Sequence, residues 1–230
     1  MVAEASINRN WQGLEIISRG ANRLCARDPQ DPAHCLKFEL PTGERTRVGL
    51  RENMRRWLGR HLPYFGENRT ELRAYRKLRA RLGRRTDRYL AACNGLVQTV
   101  HGPALQCDCA LLGDGNPAFS LYRHLFEGPR LAPQKLLAAV DSFEAWLLEN
   151  DVPLFDLNAG NFVVVASGDT LSLVCVDTKS VLSGKELLPF SRWSRRLMQR
   201  KIRRRAQRLR QRITDASTGS AELAGRAQSH

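Results

Sequence analysis

The residues best placed to do chemistry are Asp156, Asn161 and Asp177. Asp156-Leu157-Asn158-Ala159-Gly160-Asn161 leads into the apolar run Phe162-Val163-Val164-Val165, and a polar turn at 167–170 follows. A second run, Leu171-Ser172-Leu173-Val174-Cys175-Val176, ends at Asp177. Two β-branched runs around a polar turn predict a hairpin. Counted outward from that turn, Asn161 and Asp177 face each other to within one residue at the open end, with Asp156 on the loop just before. Two carboxylates and an amide gathered there suit a hard cation such as Mg²⁺ with phosphate oxygens, and an attacking hydroxyl. The competing reading is an exposed loop, because Asp and Asn favour strand ends for their own hydrogen-bonding reasons.

Upstream, His34-Cys35-Leu36-Lys37-Phe38-Glu39-Leu40 alternates with strand periodicity and puts Cys35 and Lys37 on one face. A helix is predicted from Asn68 to Gly83, capped by Asn68 or Thr70, with Leu72, Tyr75, Leu78 and Leu82 at helical spacing and Glu71 near its start. A strand lysine, a helix glutamate, an Asp-x4-Asn and a later Asp form, in that order, the part list of the protein-kinase fold. In those roles Lys37 binds the α/β-phosphates and Glu71 orients it by an ion pair, with Glu67 a rival. Asp156 accepts or orients the substrate hydroxyl proton, and Asn161 and Asp177 hold Mg²⁺. Gly20 marks a candidate phosphate-covering turn. Each has a plainer reading: a solvated strand lysine, a first-turn glutamate favoured by the helix dipole, a lone turn glycine. His101 and His124 have no evident chemical partner and read as structural.

The chain of 230 residues is 42% hydrophobic, enough for one ordinary domain or two small lobes. No run reaches the length of a membrane span, and the start lacks the pattern of a secretion signal. The expected compartment is the cytoplasm, with peripheral attachment at the inner membrane as an option. Six cysteines at 25, 35, 93, 107, 109 and 175 are few for a disulfide framework, so reduced thiols are expected. Cys107-Asp108-Cys109 is not a zinc-knuckle spacing, and no zinc ligands are assigned. The net charge of +14 is concentrated: eleven basic residues and no acidic one lie between Arg192 and Arg212. That segment, and not a basic fold, is expected to meet an anionic partner: a phospholipid surface, a phosphorylated saccharide or nucleic acid.

Residues 1–13 read as a flexible lead-in. Residues 14–113 form a first, β-rich lobe containing the Glu71 helix, and 41–68 are an irregular Arg-rich insertion. Residues 114–190 form a second lobe, with an amphipathic helix from Pro133 to Asn150 delivering the chain to Asp156. A basic amphipathic helix is expected over 191–213 and a disordered tail over 214–230.

The chain resembles the bacterial YrbL-like proteins, named for a PhoP-regulated network and belonging to the protein-kinase-like superfamily. The matching stretches are Gly20-Ala21-Asn22-Arg23-Leu24-Cys25 through Cys35-Leu36-Lys37, Glu71 to Arg85, and Leu157-Asn158-Ala159-Gly160-Asn161 past Asp177 into Trp193-Ser194. The resemblance covers most of the chain without the 41–68 insertion. It implies an α+β, compact two-lobed protein-kinase-like fold with a small β-rich N-lobe and an abbreviated helical C-lobe. It says far less about substrate, since fold does not fix function.

The departures from ordinary protein kinases matter. Leu154-Phe155-Asp156 stands for His-Arg-Asp, Asp177-Thr178-Lys179 for Asp-Phe-Gly, and no Ala-Pro-Glu follows. The leading expectation is therefore an ATP- and Mg²⁺-dependent phosphotransferase acting on a hydroxyl of a saccharide, such as a lipopolysaccharide core, or of a protein. The alternative is a catalytically inactive regulator that binds nucleotide, in which Lys179 occupies the metal's place. A nucleic-acid module rests only on the Arg-rich helix, and no base-reading motif accompanies it, so sequence-specific binding is not expected.

Overall fold

Alternating residues in the first third of the chain form strands because one set finds an apolar core and the other a second covered face. In the computed structural model, which describes residues 11–41, 44, 66–182 and 194–227, these strands are β1 (Ile16–Arg19), β2 (Arg23–Arg27) and β3 (His34–Glu39). β4 (Cys93–Thr99) and β5 (Gly102–Asp108) join them in an antiparallel sheet of order β1-β2-β3-β5-β4. The protein is thus mixed α and β, with small antiparallel sheets and a few helices. It divides into two compact units, drawn from the described residues of Met1–Arg76 with Ala92–Cys109, and of Lys77–Ala91 with Ala110–His230.

In the first unit Leu24, Ala26, Leu36, Phe38 and Ala104 cover one sheet face and pack with Trp11 and Leu40. Trp11 is buried, although it falls in the segment expected as a flexible lead-in: its indole packs on Phe38 and Nε1 donates to Glu44 Oε2 at 3.3 Å. An aromatic side chain that buries so much apolar surface offsets the entropy of ordering its backbone. The register pairs Cys25 with Lys37 and Lys37 with Leu105, so these residues share the opposite face. Of the 41–68 insertion, only Pro41, Glu44 and Gly66 to Asn68 are among the described residues.

Helix α1 (Glu67–Leu82) starts one residue earlier than its pattern predicts. Asn68 and Thr70 therefore lie inside its first turn instead of capping it, and the Thr70 hydroxyl donates back to the Gly66 carbonyl at 2.9 Å. Residues up to Arg76 belong to the first unit and Lys77 onward to the second.

The second unit holds α2 (Leu121–Phe126), α3 (Pro133–Glu149), the hairpin β6 (Phe162–Ser167) and β7 (Thr170–Cys175), and α4 (Arg195–Ala227). Pro133 opens α3 because its missing N–H would be unpaired there in any case. The helix ends in a Schellman closure: Val152 N–H donates to Leu147 O at 2.9 Å while Asp151, at φ 47°, takes the left-handed position usually given to glycine. Arg195 Nε holds the Asp151 carboxylate at 2.8 Å.

Met198, Ile202, Ala206, Leu209 and Ile213 form the buried stripe of α4, which packs on α3. Arg210 reaches back to Asp141 at 2.6 Å and to Glu144. The backbone of α4 stays helical to Ala227, so the disordered tail expected from 214 is corrected for 214–227. Nothing there breaks a helix as proline would, and Thr214 and Thr218 satisfy their hydroxyls on carbonyls one turn back. The expected start of this helix around Arg192 and Trp193 lies outside the described residues, as do 228–230. Among the described residues, no helix is long and apolar enough to cross a membrane.

Candidate functional site

In the first unit, Lys37 projects from the centre of β3 and meets Glu71 from α1. Nζ lies 2.7 Å from Glu71 Oε1, with the two residues 7% and 1% exposed. Burial by itself pushes the Lys37 ammonium down, but the neighbouring Cys107 and Glu71 outweigh it and hold Lys37 well above the ordinary lysine range. Glu71 also accepts from the Arg23 guanidinium through Oε2. Glu67, the rival for Lys37, is engaged elsewhere: Asn22 Nδ2 donates to it at 2.8 Å and Arg23 Nε lies 3.5 Å away.

Local hydrogen bonds tie α1 to β3 around this pair. Asn68 Nδ2 donates to the Lys37 carbonyl at 2.7 Å, and Asn68 N–H to Glu39 Oε1 at 2.9 Å. The helix start is thereby fixed to the strand that carries the lysine. Gly20 begins the β1–β2 turn, its N–H donating to Arg23 O at 2.8 Å. Its φ is not positive, and a Cβ there would meet Arg23 O at an ordinary 3.7 Å. The turn therefore does not require glycine for backbone reasons.

In the second unit, β6 and β7 pair from Phe162↔Cys175 to Ser167↔Thr170. Gly168, at φ 58°, supplies the left-handed first position of a two-residue loop. This register puts Asn161 opposite Val176, whose N–H donates to Asn161 O at 2.9 Å, and leaves Asp177 one residue further on. The ribbon is braced on both sides. Tyr89 and Ala91 bond to Cys175, and Val164 N–H donates to Phe119 O at 3.0 Å.

The Asp156 loop folds onto the root of this hairpin. Asn161 Nδ2 donates to the Asp156 carbonyl at 3.1 Å, Asp156 N–H reaches Ser180 Oγ at 3.3 Å, and Asn158 donates to the Asp156 carboxylate. Asp177 is 8% exposed. Its Oδ1 accepts from Lys179 N–H at 3.1 Å and its Oδ2 lies 3.1 Å from Lys179 Nζ. Asp156, Asn161 and Asp177 thus gather at one end of the ribbon, with Lys179 on the carboxylate that a cation would need.

Several neighbours escape a reading of the sequence. Arg23 as second partner of Glu71 and Asn68 as the clip on β3 emerge only once the β2–β3 register is known. Cys93 and Cys107 lie beside the Lys37–Glu71 pair for the same reason. His101 packs against both Trp11 and Phe38, and His124 Nδ1 lies 2.6 Å from Pro129 O, both in structural positions.

The chain belongs to the family described as PhoP regulatory network protein YrbL, whose model matches residues 11–214. That description links the family to the PhoP regulatory network. No curated protein matches the chain.

Proposed function

We propose that the chain is a kinase-like phosphotransferase that uses ATP and Mg²⁺ to phosphorylate a hydroxyl of a saccharide or a protein, in a PhoP-linked role. The observation that carries this reading is the buried Lys37–Glu71 ion pair. An ammonium kept charged in a covered position and aimed by a helix carboxylate suits the α/β-phosphates of a nucleotide. In this reading Asp156 orients the acceptor hydroxyl, Asn161 and Asp177 hold Mg²⁺, and the turn at Gly20 covers phosphate. Phosphoryl transfer asks mainly for positioning and charge neutralisation, which these groups supply. The site residues fit the implied cofactors in chemistry: oxygen donors for a hard cation, a cation for phosphate. The two units correspond in this reading to a small N-lobe and an abbreviated C-lobe.

The exposed cations of α4, among them Arg196, Arg200, Arg203, Arg204 and Arg208, suit an anionic acceptor or the inner membrane face. The buried apolar stripe of α4 packs on α3, which leaves the charged side to solvent.

A second reading has its own observation. Lys179 Nζ already neutralises Asp177, which favours a nucleotide-binding regulator without turnover. Assay of the purified chain with ATP and Mg²⁺, for hydrolysis and autophosphorylation, separates the two. Turnover abolished by Asp156→Ala supports the phosphotransferase; nucleotide binding without turnover in the wild type supports the regulator.

A further inference from the structure

Strand β4 alternates regularly from Gly95 to Thr99, with Val97 on the core face opposite Ala104. Continued at period two, that alternation would put Cys93 on the same core face. The pairing instead slips by one residue between Cys93 and Gly95, and Cys93 becomes the cross-strand partner of Cys107. Such a bulge re-aims a side chain. Here it moves a thiol onto the face that carries Lys37 and Glu71.

The two sulfurs lie 3.5 Å apart, both side chains are buried, and neither forms a disulfide. One Glu71 carboxylate oxygen lies within 4.8 Å of each. Two thiolates on one tetrahedral zinc ion, each about 2.3 Å from the metal, sit about 3.8 Å from one another, so the pair needs only a small adjustment. The ligand set is two soft sulfurs and one oxygen, which selects a thiophilic divalent cation over Mg²⁺ or Ca²⁺.

We propose that Cys93, Cys107 and Glu71 form a binding site for a thiophilic divalent cation of the Zn²⁺ class. The charges are compatible. Two thiolates and a carboxylate exceed a divalent ion by one negative charge, and the Lys37 ammonium and Arg23 guanidinium flank the group to balance it. Glu71 Oε1 now accepts from Lys37, so a metal taking that oxygen releases the lysine from its orienting partner. Where Lys37 serves a nucleotide, metal and nucleotide then compete. That coupling rests on the phosphotransferase or regulator reading; the metal site itself does not.

The test is titration of the reduced, full-length chain with Co²⁺ as a spectroscopic stand-in, followed by displacement with Zn²⁺. The expected result is a thiolate-to-cobalt absorption band in the near ultraviolet that saturates at a single ion per chain and bleaches with Zn²⁺. Cys93→Ser and Cys107→Ser each weaken or abolish the band, whereas Cys25→Ser and Cys109→Ser, which alter the neighbouring thiol group around Cys35, retain it. If the two serine variants prove unfolded by circular dichroism, Glu71→Gln carries the decision: the thiolate band persists, the visible bands shift and affinity drops about tenfold or more. Absence of a band in the wild type overturns the proposal, as does a band that survives loss of Cys93 and Cys107, or one that Glu71→Gln leaves unchanged. The nucleotide reading is scored separately by ATP binding in metal-free buffer, so either can fail alone.

Discussion

Lys37 Nζ lies 2.7 Å from Glu71 Oε1, and the other oxygen of that carboxylate is held by Arg23. One buried carboxylate therefore compensates two cations on adjacent strands, and α1 is anchored to the sheet through it. The arrangement is costly to desolvate and is kept only if every partner is present.

Removal of the shared carboxylate strands both cations at once. Glu71→Ala leaves Lys37 buried and without the carboxylate it pairs with at 2.7 Å, and is expected to cost about 3–5 kcal/mol. Urea unfolding measures this. A loss below about 1 kcal/mol, the range of exposed pairs, would show that the pair is solvated.

Asp156 is placed by backbone contacts, with its carbonyl held by Asn161 and its N–H by Ser180. Asp156→Asn preserves those contacts, so it is expected to leave ATP affinity within about twofold while lowering turnover by roughly 10²–10⁴-fold. Single-turnover kinetics with isothermal titration of ATP checks both. Equal loss of binding and turnover would make Asp156 a structural residue.

Lys179 lies on the carboxylate assigned to Mg²⁺. Lys179→Met removes the competing cation and keeps much of the side-chain bulk, so it is expected to lower the Mg²⁺ concentration needed for ATP-dependent stabilisation. A higher Mg²⁺ requirement would instead make Lys179 a phosphate ligand.

On α4 the apolar stripe and the cationic side are separable. Arg203→Glu with Arg204→Glu changes exposed charges only, and is expected to leave thermal stability nearly intact while abolishing binding to vesicles containing anionic lipid. Wild-type binding should fall steeply between low and physiological salt. Ile202→Asp, aimed at the buried stripe, should unfold the helix from α3. Vesicle sedimentation and circular dichroism distinguish these outcomes, and salt-independent binding would contradict the electrostatic account.

The elements that the sequence makes legible are those with sustained period or strong turn chemistry. The hairpin is readable from β-branched runs around Ser167-Gly168-Asp169-Thr170, and α3 from Pro133 and its apolar stripe. The Lys37–Glu71 contact is anticipated from the order of residues, yet its geometry depends on how α1 docks, which local pattern does not encode. The hairpin count places Asp177 opposite Asn161 to within one residue, and the register sets it one residue beyond, with Val176 opposite Asn161. Helix α2 is too short, at six residues, to develop a period. Gly95 is the one mark in sequence of the bulge before it, and a glycine in a strand does not say which way the register slips, so the face that Cys93 occupies stays hidden. The helix beyond Ile213 is lost among small polar residues, whose weak individual preferences are overridden by continuation of an existing helix.

Nucleotide binding through Lys37 is tested most directly by thermal denaturation of the purified chain in ATP and Mg²⁺, beside Lys37→Ala. The wild-type midpoint is expected to rise with ATP concentration, as linkage requires of a ligand bound to the folded state. No such rise is expected in a folded Lys37→Ala chain. A wild-type midpoint indifferent to nucleotide, or an equal rise in Lys37→Ala, would contradict it.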